Sequence, residues 1–251
     1  MIQYSLLNGQ FKGVVFMDLK DLKDVLNSRV KLNRLDLKNE SFTGLDLSGY
    51  DLRNIDFSWA NFVDCSFDGA DFSYSTLEDS YFPNTSCRST NFFKTNLKGA
   101  NMRFVDLTGA DIRGAYLYSA NLEDAILENL IYDDSTQYYK LKCPEKGAFI
   151  GYKTCFNDRL VTLLILEDAI RTSATMDSCR TNKAKVVSIT SFDGKKHFEE
   201  AQSYVDENFI YRTGEIVEVL DFNPDRWRDS TTGIHFWMTR EEACSYMSTD
   251  K

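Results

Sequence analysis

The sequence predicts a mainly β chain in two parts, a repeat solenoid followed by a small α+β domain, on three observations. The first is a period of five. Of nineteen consecutive fifth positions from Leu37 to Leu127, all but Cys87 are large and apolar, Phe42, Leu47, Phe57, Phe62, Phe72 and Leu97 among them. A helix returns its apolar residues about every 3.6 positions and a strand about every 2, so neither gives this spacing. A short fixed period held this long marks a solenoid whose units bury their apolar sides against one another. The second observation is that the neighbours of each fifth position repeat as well. The third is that period and composition both change after Leu127.

Two positions before the large residue the side chain is usually small, as at Ala60, Cys65, Ala70, Ser75, Ala100 and Ala120. One position before, it is often Asp or Asn, as at Asp46, Asp51, Asn61, Asp71, Asn101 and Asp111. Two positions after, glycine recurs at Gly44, Gly49, Gly69, Gly99, Gly109 and Gly114. Side chains two apart on an extended segment share a face, so the large and the small residue both point inward. Glycine suits the third residue of a tight turn, which needs positive φ.

Ala100-Asn101-Met102-Arg103-Phe104 and Ala120-Asn121-Leu122-Glu123-Asp124 carry this pattern in full. On these residues the segment 32–131 resembles the pentapeptide-repeat family, over about two-fifths of the chain. The resemblance implies a right-handed quadrilateral β-helix, with one pentapeptide on each side and twenty residues in each coil. In that arrangement Phe42, Phe62, Phe82, Met102 and Leu122 share one interior ladder, and Phe57, Leu77, Leu97 and Leu117 another. About five coils at the usual strand spacing make a rod roughly 25 Å long.

Residues 1–31 are expected to cap the first coil, because the end of a solenoid is an open edge. Leu19, Leu22 and Leu26 would share one face of a short helix there. Tyr132-Asp133-Asp134-Ser135-Thr136-Gln137 reads as a linker, and 138–251 as an α+β domain with a mostly antiparallel sheet. Phe149 to Phe156 and Leu160 to Leu166 flank Asn157-Asp158-Arg159 as a hairpin. Further strands are expected at Lys185 to Ser191, Phe209 to Arg212, Ile216 to Leu220 and Ile234 to Met238. Thr239 and Glu242 form a capping box for a helix through Met247, and Lys196 to Val205 reads as a second helix. Cys143 to Lys153, Arg171 to Thr175, Cys179-Arg180 and Thr232 to Ala243 resemble an uncharacterised module attached to pentapeptide repeats in phage and bacterial proteins. That resemblance brings no activity with it.

Composition excludes several function classes. The net charge is −9, and the segment 32–131 holds fifteen acidic against eight basic residues. Direct nucleic-acid binding needs a basic stripe, and the repeats show the opposite. Polybasic membrane attachment is equally unsupported, and no apolar run reaches the roughly 18 residues a membrane helix needs. The start of the chain lacks the pattern of a secretion signal. The six cysteines form no dense framework, which reads as a cytoplasmic protein. No cofactor or metal is expected, since no Cys-x-x-Cys pair, phosphate-cradling glycine loop or nucleophile elbow is present.

Two candidate sites remain. On the four-sided arrangement, Asp51, Asp71 and Asp111 share one outward face and Asp56 the next, with Trp59, Tyr74, Phe93, Tyr116 and Tyr118 nearby. Exposed aromatics beside acids suit a protein-binding surface. In the C-terminal domain His235, Arg180 and Arg171, with Glu215 and Glu242, could assemble a site for nucleotide chemistry; the alternative is a buried histidine satisfied by a backbone carbonyl. The reading is a non-catalytic interaction protein with a protein partner, a host protein being the expected kind. The alternatives are a DNA mimic occupying an enzyme such as a topoisomerase, or a small nucleotide-directed enzyme in the C-terminal domain.

Overall fold

The computed structural model describes residues 35–228 and 230–246. The expected cap over residues 1–31 lies outside them. The chain divides into two compact units, with the break between Lys140 and Leu141.

The first unit is a parallel ladder. Strand β1 (Leu35–Asp36) pairs with β3 (Ile55–Asp56), and β2 (Ser41–Thr43) with β4 (Asn61–Val63), each residue facing the one twenty positions on. Single parallel bridges repeat that step from Asp46↔Ser66 to Asp111↔Ile131. Each link uses the main chain in both directions: Leu52 N–H donates to Asp71 O at 2.8 Å and Asp71 N–H to Tyr50 O at 2.9 Å. Between links the chain turns after every large residue, as where Ala60 N–H donates to Phe57 O at 2.9 Å. The third residue of each turn is left-handed, without a break from Asn39 to Asn129. Glycine supplies six of those nineteen positions; the others include Trp59, Tyr74 and Phe104.

The fifth positions line the interior. Phe42 stacks on Phe62 at 5.2 Å, Phe62 lies 4.9 Å from Phe82, and Phe72 stacks on Phe92 at 5.5 Å. Full burial of one such ring stabilises by about 1.5–3 kcal/mol. The small inward positions do more than leave room. Ser75, Thr85, Thr90 and Thr95 each donate a hydroxyl to a main-chain carbonyl of the preceding coil, at 2.6–2.8 Å.

Residues 132–137 are not a free linker, which corrects the sequence reading. Gln137 bridges Tyr116 in the same parallel sense, twenty-one residues on. Thr136 is buried and donates its hydroxyl to Ile112 O at 3.1 Å, as the threonines of the coils before it do. One extra residue breaks the period of five, so periodicity alone loses the segment.

The second unit is built on antiparallel sheets. Strands β5 (Phe149–Cys155), β6 (Arg159–Ile165), β9 (Lys183–Ser191) and β12 (Ile216–Glu218) form one sheet in the order β12-β9-β6-β5. Strands β7 (Arg171–Thr172), β8 (Cys179–Thr181) and β13 (Ile234–Phe236) form another in the order β13-β8-β7. Trp237 continues past β13 to bridge Tyr152. Leu163, Val186, Ile189, Tyr211 and Phe236 share the core. Gly151 is needed there: a Cβ on it would stand 2.5 Å from the Phe236 ring. Helix α1 (Arg240–Ser245) opens with the expected Thr239–Glu242 capping box and buries Ala243. The helix expected over Lys196–Val205 is instead β10 (Glu200–Gln202), paired with β11 (Ile210–Arg212). Phe198, Ala201 and Val205 have helical spacing, but Ala201 is buried opposite Tyr211, and sheet pairing overrides the local pattern.

Candidate interaction surface and C-terminal site

The Asp and Asn residues one position before each large residue are turn caps. Asp51 accepts from Arg53 N–H at 3.1 Å, Asp71 from Ser73 N–H at 2.9 Å and Asp111 from Arg113 N–H at 3.0 Å. Asn91, Asn96 and Asn101 do the same two residues on. This local bond explains why Asp and Asn interchange there, since both offer a short side-chain oxygen.

Asp51, Asp71, Asn91 and Asp111 form one row of successive bridges. Arg53 grips Asp51 with two nitrogens, at 2.9 and 2.8 Å, and reaches to 3.8 Å from Asp71. Arg113 grips Asp111 at 2.6 Å, and Asn91 donates to Asp71 at 3.0 Å. The Arg113 bond, helped by its own N–H, holds the Asp111 carboxyl below the usual carboxylate value. Asp56 is 8% exposed, bonded to Ser58 at 2.6 Å and paired with Lys38 at 3.3 Å. Arg88–Asp106, Lys98–Glu78 and Arg103–Glu123 pair acids with bases on other coils. The row is therefore mixed in charge rather than uniformly acidic.

The aromatics fall into separate groups. Tyr74, half exposed, meets Phe93 edge-to-face at 5.7 Å, with Lys94 Nζ 5.8 and 5.3 Å from the two ring centres. Tyr116 and Tyr118 pack with Tyr138, at 5.5 and 5.0 Å. Trp59 is 56% exposed at a left-handed turn position. Sequence reasoning missed Tyr138, which the one-residue insertion hides, and Phe104, exposed at the same kind of corner as Trp59.

In the second unit, pairing sets His235 opposite Arg180, and Arg180 opposite Thr172. Arg180 is 2% exposed, and its guanidinium donates to the carbonyls of Asn223, Thr232 and Asp225 at 2.9, 3.0 and 2.7 Å. Arg171 donates to the carbonyls of Ala169, Gly147, Leu166 and Glu167, at 2.5–3.1 Å. Both guanidiniums therefore staple loops. His235 Nε2 lies 3.2 Å from Thr231 O, and Glu242 serves the helix cap and pairs with Lys142 at 3.0 Å. Lys153 is buried, and burial depresses its ammonium; it donates to His235 O at 3.2 Å. A shallow cleft of about 480 Å³ lies between Phe156, Gln202, Tyr204 and Glu207. Among the described residues no group of three or more His, Cys, Asp or Glu side chains could hold a metal, and no helix is long and apolar enough to cross a membrane.

Comparison with known proteins agrees with this division. Residues 35–112 match the model of a pentapeptide repeat region, and residues 139–243 that of a family of unknown function (DUF5758). No curated protein matches the chain. Among solved structures, a pentapeptide repeat protein of the Arabidopsis thaliana thylakoid lumen is 20% identical over 35% of this chain and 61% of its own, with a TM-score of 0.34. This chain thus spans less than two-thirds of that relative. Rfr23 of the cyanobacterium Cyanothece 51142 is 18% identical over 45% of this chain and 97% of its own, with a TM-score of 0.24. Full-length QnrB1, a plasmid-mediated fluoroquinolone resistance protein, is 16% identical over 42% of this chain and 88% of its own, with a TM-score of 0.13. The chain joins a pentapeptide repeat region to a domain of unknown function.

Proposed function

We propose that this is a non-catalytic protein-interaction protein, with the repeat segment as rigid scaffold and the C-terminal domain as a second recognition element. The scaffold is read as a right-handed quadrilateral β-helix, which the twenty-residue pairing step and the left-handed turn at every fifth residue support. The observation that carries the reading is the Tyr74–Phe93–Lys94 group beside the Asp51, Asp71 and Asp111 row. Aromatic anchors ringed by polar and charged side chains are the usual make-up of the energetic centre of a protein interface. Trp59, Tyr116 and Tyr118 extend the same chemistry along the segment, whereas Asp56 is buried against Ser58 and Lys38 and offers little to a partner. The partner is a protein, and the resemblance to phage and bacterial proteins points to one from the host, met in the cytoplasm.

DNA mimicry is the weaker reading. Duplex DNA carries a charge about every 1.7 Å along its axis, whereas here Arg53, Arg88, Arg103 and Arg113 neutralise acids on the coils. The enzymatic reading is weakened because the Arg171 and Arg180 guanidiniums are engaged by main-chain carbonyls.

Affinity capture from a bacterial lysate tests the proposal, with the full chain, a Tyr74→Ala/Phe93→Ala double variant and His235→Ala. The reading expects one partner held by the wild type and His235→Ala and lost by the double variant. Retention by the double variant sinks it. Loss on His235→Ala alone moves the function to the C-terminal domain.

A further inference from the structure

Cys143 and Cys179 lie far apart in the chain and meet in the core of the second unit. Strands β7 and β8 pair Arg171 with Thr181 and Thr172 with Arg180, so Ser173 and Cys179 are the next residues along the two strands. Ser173 Oγ accepts a hydrogen bond from Lys142 N–H at 2.8 Å, which sets Cys143 at that end of β8. Lys142 is held a second time by its ammonium, 2.9 Å from Asp177 and 3.0 Å from Glu242. Both thiols are buried and free.

The surroundings make the two thiols unequal. The neighbouring Cys179 side chain, with Arg171 and Arg226 nearby, holds the Cys143 thiol below the usual cysteine value. Cys143 and burial together push Cys179 up. Arg171 is fixed by its four carbonyls and Arg226 by Ser173 O at 3.1 Å, so their positive potential stays in place. A thiol favoured as thiolate beside a second thiol is the arrangement that thiol–disulfide exchange requires. Cys143 also lies in an irregular run, residues 141–147, between exposed Lys142 and Pro144. Local opening of such a run exposes it without unfolding the sheets. The other thiols are less suited. Cys87 and Cys155 are buried with their thiols pushed up, Cys155 to about 11, and burial raises Cys65 and Cys244 as well.

We propose that Cys143 and Cys179 form a redox-active dithiol that accepts low-molecular-weight disulfides as oxidant and closes to an intramolecular disulfide. The Cys143 thiolate attacks one sulfur of the disulfide RSSR. The Cys143 S–SR bond forms as the RS–SR bond breaks, and the departing RS⁻ takes up the proton that Cys143 lost. Cys179 then loses its proton and attacks the Cys143 sulfur, expelling the second RS⁻, which is protonated in turn. Two protein thiols are oxidised to one disulfide, and one RSSR is reduced to two RSH. The new bond ties the irregular run to β8.

The test is incubation of the full chain with oxidised glutathione, followed by thiol titration, intact mass and peptide mapping. Two of the six thiols are expected to disappear, with a mass loss of two hydrogens and one linked peptide joining Cys143 to Cys179. Cys179→Ser should stop at a glutathione adduct on Cys143, and Cys143→Ser should form neither product. Six intact thiols, a linkage between another pair, or a bond between two chains overturns the proposal. Where a variant does not fold, the wild-type peptide map alone decides.

Discussion

In the repeat unit the Phe67 carbonyl has two partners, the Ala70 N–H at 2.9 Å and the Thr90 hydroxyl from the next coil at 2.7 Å. In the second unit the carbonyls of Asn223, Asp225 and Thr232 all depend on one side chain, Arg180. Both partners recur at Phe72 O, with Ser75 N–H and the Thr95 hydroxyl, and the hydroxyl bond alone at Ser75 and Thr85, so any single coil is one of several near-equivalents. The second is used once. The stability of a repeat array is close to a sum over neighbouring units, while a domain with a singly supported loop fails as a whole when that support goes. Damage should therefore stay local in one unit and spread in the other.

The largest effect expected tests the first half of that contrast. Phe62 is buried against Phe42, Phe82, Phe57 and Phe67, with ring centres 4.9–5.5 Å away. Phe62→Ala should cost about 3–5 kcal/mol by opening a cavity in the ladder. In hydrogen exchange by mass spectrometry, lost protection should centre on the coils around residues 42–82 and leave the second unit unchanged. Loss spread evenly through both units would end the contrast.

Arg180→Met tests the other half. It keeps the buried volume but leaves three carbonyls without their donor, at a cost of about 3 kcal/mol. Protection should fall throughout residues 141–246 while the repeat unit keeps its own. A local loss confined to the loop around Asn223 would show that the second unit is no more brittle than the first.

The same contrast explains what could be read from the sequence. Phe62 was legible because its role recurs every fifth residue, and pattern averages over repeats. The role of Asp71 was half legible: its recurrence was plain, but as an acidic surface group rather than the acceptor for Ser73 N–H. The turn was legible through its glycines, yet Trp59, Tyr74 and Phe104 adopt the same left-handed φ, because coil pairing on both sides imposes it. Arg180 stood out as a residue, but nothing nearby in sequence tells a guanidinium aimed at carbonyls from one aimed at a ligand. Cys143 and Cys179 carry no spacing signal, since their meeting depends on the β7–β8 register. Single-copy contacts between distant residues leave no period to detect.

Turn geometry gives a smaller effect, with a sign that distinguishes its cause. Gly99 has φ +64°, and an added Cβ would stand 2.0 Å from Asp79 Oδ1 on the coil before it. Gly99→Ala should destabilise the repeat unit by about 1–2 kcal/mol, since the backbone penalty remains even after Asp79 swings aside. Ser89 has φ 52° in the corresponding turn between Gly69 and Gly109. Ser89→Gly should stabilise by about 0.5 kcal/mol, the relief of left-handed strain less the added chain entropy. Paired urea titrations read both. Destabilisation by Ser89→Gly would mean that the serine contributes more than its backbone costs.

The smallest effect concerns charge. Asp111 is held below its unfolded value near 3.8, first by the Arg113 side chain and then by the Arg113 N–H. A carboxyl depressed by folding adds stability above its unfolded value and loses it as pH falls through the folded one. Arg113→Gln removes the larger cause and leaves the N–H bond in place. The Asp111 titration, followed by carboxyl carbon NMR, should move upward, and the acid unfolding midpoint of the repeat unit should rise by roughly a few tenths of a pH unit. The second unit should keep its own midpoint, because Arg113 and Asp111 belong to the ladder. An unmoved Asp111 titration would mean that the turn N–H alone sets it, making the arginine row a surface feature for partners rather than a support of the coil.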